Sequence, residues 1–277
     1  LQVRNPHPPV TTEKNGLLEA GVSLQESILL PGLEGSNEAF LELSTIPGMH
    51  LSRHLDELLN YPHGCAEQTV STAFAQLFLE FLVPLSAAEK AASGENIRQA
   101  LIKLRALQTG NGGFAYWPGQ NSADEWSTSY GGHFMLMAEQ KGFTLSREMR
   151  SRWVAYQQLR AREWKPGVAG DPHIRRQEAL SQAYRLYTLA LARAPEAGVM
   201  NRFREEVSGF PEARWRLAAA YLLAGQPAAA DQLLTRLSAD TGPYPEHSLT
   251  FGSQLRDKAM ILETLLLKND RTAAFTL

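Results

Sequence analysis

From residue 51 onward the chain is a train of helical stretches, each cut short by a brief run of glycine and proline. That punctuation limits the possible folds more than any other feature. Apolar residues at helical spacing predict helices over 51–59, 65–82, 95–107, 124–141, 147–163, 176–193, 196–207, 212–224, 228–237 and 253–267. Between them stand Gly110 to Gly113, Pro118-Gly119, Gly209-Phe210-Pro211, Gly225-Gln226-Pro227 and Gly242-Pro243. Glycine permits a reversed backbone, and proline cannot carry a helix on. With separators this short, successive helices pack antiparallel. The helices are of two kinds. Residues 181–194 and 213–224 are apolar round much of the circumference, as in a helix buried on several sides, whereas 147–163 carries one apolar stripe. An all-α fold of alternating inner and outer helices, an α/α toroid, fits both kinds. A helical solenoid fits the patterning equally well.

The first fifty residues read differently. They open on Pro6, Pro8 and Pro9 and hold two short extended candidates, 22–30 and 39–44; in the second, Ala39, Leu41 and Leu43 share one face. We expect residues 1–50 to form an extended linker or the edge of a neighbouring β-domain, and 51–277 to form the toroid. The chain of 277 residues is 44% hydrophobic and 20% charged, an ordinary globular balance. A net charge of -2 gives no basic footprint for nucleic acid or a membrane surface. No apolar run has the length of a membrane span. The first residue is Leu1 and no signal peptide precedes it, so a piece of a longer protein is expected. One cysteine excludes an internal disulfide.

That cysteine lies in Tyr61-Pro62-His63-Gly64-Cys65-Ala66-Glu67-Gln68-Thr69, at the predicted start of an apolar helix. Side chains three residues apart on a helix or tight turn face each other. The Cys65 sulfur can therefore attack the Gln68 side-chain carbonyl and expel ammonia. The product is a thioester in a ring of about fifteen atoms, small enough for a modest closure entropy. The plainer reading of a lone cysteine is a small buried hydrophobe. Its company argues otherwise. Gly64-Cys65-Ala66-Glu67-Gln68 resembles the Gly-Cys-x-Glu-Gln pattern of the alpha-2-macroglobulin and complement family, with Tyr61-Pro62 and Thr69-Val70-Ser71 similar to its bacterial branch. The resemblance runs from about residue 22 to the end. It implies a toroidal thioester domain of a broad-spectrum protease inhibitor. A target-protein amine attacks the acyl group, the Cys65 thiolate leaves, and the protease is trapped in a single turnover, so the protein is no enzyme. It further implies neighbouring domains in the same parent chain, a periplasmic location and a possible lipid anchor on the parent. The family continues with further helices, so the ring is expected to be open at the C-terminal end.

Other residues are weighed beside this pair. Glu67 belongs to the motif and is expected to orient local structure through backbone N–H groups at the helix start. His63 could orient or deprotonate a group near Cys65, or simply fill the turn. In the complement branch a downstream histidine takes over the acyl group; spacing points to the region of His173, which otherwise reads as an exposed loop residue. Tyr61, Tyr116 and Trp117 are candidates for shielding the bond from water, packing being the simpler role. Gln108 to Gly119, with Gly112-Gly113-Phe114-Ala115-Tyr116-Trp117 at its centre, is similar to a family segment and reads as a turn that ties helix ends together. Ser253-Gln254-Leu255-Arg256-Asp257-Lys258-Ala259 resembles another, with Asp257 capping and pairing to Arg256 or Lys258. No His/Cys/carboxylate set has metal-ligand spacing, no phosphate-binding glycine motif appears, and no cofactor is expected. Two alternatives remain open: a toroidal enzyme using Cys65 as nucleophile with His63 or His133 as its base, and a helical scaffold without chemistry.

Overall fold

The computed structural model describes residues 10–14, 16, 18–30, 32, 35–39, 41, 43, 59, 64–166, 171–241 and 250–277. The chain divides into two compact units, Leu1–His50 and Leu51–Leu277. In the first, Gly21 turns the chain at a φ of 81°, Val22 N donates to Glu19 O (3.1 Å), and Lys14 pairs with Glu26 (2.7 Å). The extended candidate at 22–30 forms no ladder, and Val22, Leu24, Ile28, Leu29 and Leu30 are all exposed. The segment reads as extended, but a strand needs a partner for its backbone groups. Residues 40, 42 and 44 of the second candidate lie outside the described residues, as does the helix predicted at 51–59 apart from Leu59. Among the described residues the β pairing is a single bridge, Gln108 to Phe114.

The second unit is helical. Its elements are α1 (Ala66–Gln76), α2 (Leu79–Leu82), α3 (Ala87–Ala106), α4 (Glu125–Gln140), α5 (Arg147–Glu163), α6 (Pro172–Leu191), α7 (Ala197–Glu206), α8 (Pro211–Leu223), α9 (Pro227–Leu234), α10 (Gln254–Leu267) and α11 (Arg271–Thr276). One succession of neighbours runs α1, α4, α6, α8, α10. Around it lie α3 against α1 and α4, α5 against α4 and α6, and α7 and α9 against α8. These are the inner and outer layers of an α/α toroid. The inner α6 and α8 bury residues on all sides. The outer α5 buries Met149, Trp153, Tyr156, Gln157 and Ala161, a single helical stripe. Polar caps set the starts: Asp124, Ser146 and Ser253 each accept a backbone N–H of the first turn.

Several boundaries differ from the sequence expectation, each for a local reason. The helix predicted to reach residue 82 breaks after Gln76, where Leu77 N and Phe78 N take tighter bonds to Phe74 O and Ala75 O. Leu77 and Leu79 would point to opposite sides of a regular helix, and the break buries both. Phe81, at helical spacing from Ala66, Val70, Ala73 and Leu77, which are buried, itself stands 67% exposed beneath the Lys141 ammonium, 3.9 Å from its ring centre. Helix α3 starts at Ala87 rather than 95, because Ser86 and Glu89 form a reciprocal capping box. Helix α6 starts at Pro172 rather than 176, capped by Asp171 with proline in the first turn. The short α11 had no counterpart in the prediction.

The inner helices meet in a polar cluster. His133 of α4 lies 2.9 Å from the Tyr184 hydroxyl and 3.5 Å from that of Tyr187, both on α6. Tyr187 donates to Glu263 of α10 (2.6 Å), which also accepts from Arg216 of α8 (2.5 Å). The Arg216 guanidinium lies over the Tyr187 ring at 4.2 Å. Phe74 of α1 sets its ring against His133 edge-on at 4.9 Å. Burial drives the His133 imidazole down to about 4, against the pull of Glu263 and with Arg216 adding to the fall. His133 is therefore neutral at pH 7. The unfolded chain, with an ordinary imidazole near 6.5, binds the proton first, so acid favours unfolding. The loss begins as pH falls below about 6.5 and is complete below about 4, where it amounts to about 3 kcal/mol. Urea unfolding of the wild type and of His133→Gln at pH 7 and pH 4.5 checks this: the variant is expected to lose the smaller amount on acidification, and equal losses would contradict the assignment.

Candidate functional site

Gly64 adopts a φ of 94°, a region that side chains with a Cβ disfavour. It delivers Cys65 in extended geometry (φ -71°, ψ 177°) as the N-cap of α1. Gln68 is then the third residue of the helix, and its side chain folds back over the helix start. Its Oε1 accepts from Cys65 N at 3.2 Å, while the Cys65 side chain faces the Gln68 backbone N–H, the reciprocal arrangement of a capping box. The fold-back brings the carboxamide against Gly64 so closely that a Cβ built there would stand 1.9 Å from Oε1 and 2.9 Å from Cδ. Cys65 is 1% exposed, whereas Gln68 is open to solvent. The cysteine is thus covered, and residue 68 reaches solvent. The two groups that the spacing pairs lie on one side of one helical turn.

A second segment closes over the sulfur. Ala66 N donates to Tyr116 O at 2.9 Å, fastening the start of α1 to the chain after the glycine turn. The Tyr116 phenol pKa is pushed up to about 12 by the neighbouring Cys65 side chain first, then by burial and by Glu67 and Asp124. Tyr116 stacks on Phe251 (6.3 Å, 7° between planes) and meets Trp117 edge-on at 5.5 Å. Trp117 itself is 48% exposed.

The glycine turn fixes this position. Gly112 has a φ of 100°, and a Cβ there would stand 2.4 Å from Arg152 O. Arg152 in turn donates to Thr109 O (2.9 Å) and Gly110 O (3.0 Å), and Gln108 Nε2 reaches both Gly112 O and Met149 O at 3.0 Å. Phe114, fully buried, takes the Thr128 hydroxyl on its N–H at 2.9 Å. The turn ties the ends of α3, α4 and α5 together, the role the sequence leads one to expect, and also fastens the Tyr116 backbone to the start of α1.

The remaining candidates are placed as follows. The Glu67 carboxylate accepts from the Ser71 hydroxyl (2.7 Å), which lies 3.2 Å from the Tyr130 hydroxyl. Its side chain runs along α1 to the residue one turn on instead of back to the helix-start N–H groups, one of which Gln68 serves. Burial raises the Tyr130 pKa, against the Ser71 hydrogen bond and with Glu67 adding to the rise. His173 lies in the first turn of α6 rather than in a loop. It is exposed, and its N–H caps onto Asp171 Oδ1 at 2.9 Å. His133 bonds Tyr184 and Tyr187 in the central cluster. His63 and Tyr61 lie outside the described residues. At the late motif Ser253 caps α10, and Arg256 binds Asp257 (2.6 Å) and Thr250 O (2.6 Å). Asp257 is 2% exposed, and burial raises its pKa despite Arg256. Among the described residues no group of His, Cys, Asp and Glu could hold a metal ion, and no helix is long and apolar enough to cross a membrane. Ser71 was legible in hindsight from its four-residue spacing to Glu67; nothing in the sequence pointed to Phe251.

Comparison with known proteins bears on the fold and on which chains this one is similar to. A family profile described as "A-macroglobulin TED domain" matches residues 41–165. The alpha-2-macroglobulin of Escherichia coli is 28% identical over 96% of this chain, which spans 17% of that relative's length. A Salmonella alpha-2-macroglobulin structure, reacted with methylamine, superposes with a TM-score of 0.70 at 24% identity, covering 82% of this chain and 15% of that one. An Escherichia coli alpha-2-macroglobulin structure, activated by porcine elastase, superposes at 0.65 with 22% identity, covering 78% of this chain and 20% of that one. Both superpositions carry the toroid and no more. The family profile over residues 41–165 and the curated relative make this chain similar to the TED domain of the alpha-2-macroglobulin family.

Proposed function

We propose that this chain is the covalent trap of a bacterial protease inhibitor, with Cys65 and Gln68 closed into a thioester that acylates amines of the attacking protease. The observation that carries the proposal is the fold-back of the Gln68 carboxamide onto the Cys65 N–H, beside a covered cysteine. The Cys65 sulfur adds to Gln68 Cδ and ammonia leaves. A lysine amine of the protease then adds to the same carbon, the carbon–sulfur bond breaks, the amine gives up its proton, and the protease is left in amide linkage with residue 68. One chain modifies one target and is spent, so there is no turnover. Support for proteases as partners comes from the elastase-activated relative. Support for a free acylating site comes from the methylamine-reacted one. The parent is read as a longer protein whose other domains, bait segment included, uncover the bond when cut. We place it in the periplasm, with a lipid anchor on the parent.

A cysteine-nucleophile enzyme is less well supported. Among the described residues the Cys65 side chain faces the Gln68 backbone N–H, and no histidine is hydrogen-bonded to it. Intact mass of protein taken from the periplasmic fraction tests the proposal. It should lie about 17 Da below the sequence mass, and methylamine should add about 31 Da and free one thiol. The Cys65→Ala variant should show neither change. A free thiol with no mass deficit in the untreated parent would defeat the proposal.

A further inference from the structure

We infer that the Cys65 backbone N–H is a catalytic donor, which holds Gln68 Oε1 while that oxygen carries negative charge, both as the thioester forms and as an amine opens it. The inference rests on the acyl-donor reading of Cys65 and Gln68. The start of α1 divides its backbone donors in a telling way. Ala66 N–H is committed to Tyr116 O at 2.9 Å, and Thr69 N–H to Cys65 O at 3.0 Å. The two N–H groups of the reciprocal box turn instead to the reacting side chains. Cys65 N–H reaches Gln68 Oε1 at 3.2 Å, and Gln68 N–H faces the Cys65 side chain. Gly64 leaves room for the first of these contacts. A Cβ at residue 64 would stand 1.9 Å from Oε1, so the oxygen occupies the space that a side chain there would fill. Cys65 is 1% exposed, so its N–H is fixed away from bulk water. In an ordinary capping box these bonds only satisfy the helix start. Here the acceptor is the carbonyl that reacts.

The chemistry gives this donor its role. In formation, the Cys65 sulfur adds to Gln68 Cδ and the carbonyl π pair moves onto Oε1. The carbon–nitrogen bond then breaks, nitrogen leaves as ammonia with the thiol proton, and the carbonyl re-forms. In opening, an amine adds to the same carbon and Oε1 is charged again. The carbon–sulfur bond breaks with its electron pair on sulfur, and the amine proton passes to water. Both reactions pass through an adduct with its charge on one oxygen. The resting bond of 3.2 Å is at the long end for N–H···O. It shortens and strengthens when its acceptor becomes anionic. The donor therefore stabilises the adduct more than the resting acyl group, which is the condition for speeding the step. A cap that merely steadied α1 would change stability and leave the rate alone.

The test deletes single backbone donors from the full chain. An ester in place of the peptide bond before residue 65, introduced by ribosomal incorporation of the α-hydroxy analogue of cysteine, removes this N–H and keeps every side chain. The same exchange before Val70 removes a helical N–H inside α1. Urea unfolding reads the stability cost of each. Thiol release with methylamine should be about tenfold slower in the residue-65 ester and within about twofold of wild type in the Val70 ester. The slowing sits below the about 10²–10³-fold of an enclosed oxyanion site because Gln68 is open to solvent. A mass deficit that forms in the Val70 ester and not in the residue-65 ester is the stronger form of the same result. Release at the wild-type rate from the residue-65 ester, or an equal loss in both esters, overturns the donor role and leaves the acyl-donor reading intact. A second measurement needs no variant. With carbon-13 at the glutamine side-chain carbonyl, the thioester band in the infrared should lie below that of a simple alkyl thioester in an apolar solvent, and a band at or above that position also overturns the role. Absence of the mass deficit from the unsubstituted protein overturns the acyl-donor reading, and this inference with it.

Discussion

Glu263→Ala is expected to destabilise the fold by about 2–4 kcal/mol, the largest effect of any single substitution away from the hydrophobic core. Glu263 is the one carboxylate of the central cluster, accepting from Tyr187 and from Arg216. Burial pushes its pKa up, but Arg216, and behind it His133 and Tyr187, more than reverse this and leave the carboxyl below its usual range. Arg216 is only 3% exposed at its side chain. Burial opposes its charge too, and Glu263 together with Tyr187 and Tyr184 outweighs that opposition. Removing the carboxylate strands a buried guanidinium among tyrosine rings. The estimate sits below the usual range for a broken buried pair because Glu263 keeps 35% of its side chain in solvent. Glu263→Gln retains an acceptor and should lose less. Replacing both partners, with Arg216→Met and Glu263→Leu together, should also lose less than Glu263→Ala, since no charge is left unpaired. Urea unfolding at pH 7 measures all three. A loss under about 1 kcal/mol for Glu263→Ala would mean that the cluster does not bind α8 to α10 through its charge.

That cluster also shows what the sequence could and could not reveal. His133, Tyr184, Tyr187, Arg216 and Glu263 come from four helices, and no local pattern links them. The one available signal was a charge on helices otherwise apolar all round: Arg216 within 213–224 had to find a partner indoors. The alternation of inner and outer helices was legible, because burial on several sides and burial on one stripe leave different apolar patterns. Arg147–Glu163 lies where its stripe and the capping Ser146 put it. The break after Gln76 was illegible, since Ala66 to Phe81 keeps helical spacing and only tertiary packing chooses to bury Leu79. At the site, the Cys65–Gln68 meeting was legible because it depends on three residues of one turn. Tyr116 was legible only as a candidate cover, because a turn pinned to α5 brings it to the start of α1; Phe251 was not legible, because it stacks on Tyr116 from far along the chain.

Gly64→Ala is expected to abolish thioester formation while leaving the toroid folded. Two separate constraints bear on this residue. Its φ of 94° is strained for alanine, a penalty of about 1 kcal/mol that should lower the melting temperature by only a few degrees in a unit of this size. The second constraint is steric. The added Cβ would lie 1.9 Å from Gln68 Oε1 and 2.9 Å from Cδ. The far end of a glutamine moves easily, and Gln68 is already exposed, so the clash is relieved by swinging the carboxamide out into water. Stability hardly registers that movement, but the chemistry does. Ring closure depends on the carbonyl being held over the Cys65 turn, and an acyl group released to solvent loses that proximity, a factor of more than tenfold in rate. Intact mass should therefore show no deficit of about 17 Da, and the Cys65 thiol should be titratable from the outset after unfolding. Circular dichroism should stay at the wild-type helical signal. A mass deficit that survives in Gly64→Ala would show that the carboxamide reaches the sulfur by another path, and that the tight approach at Gly64 is incidental to the bond.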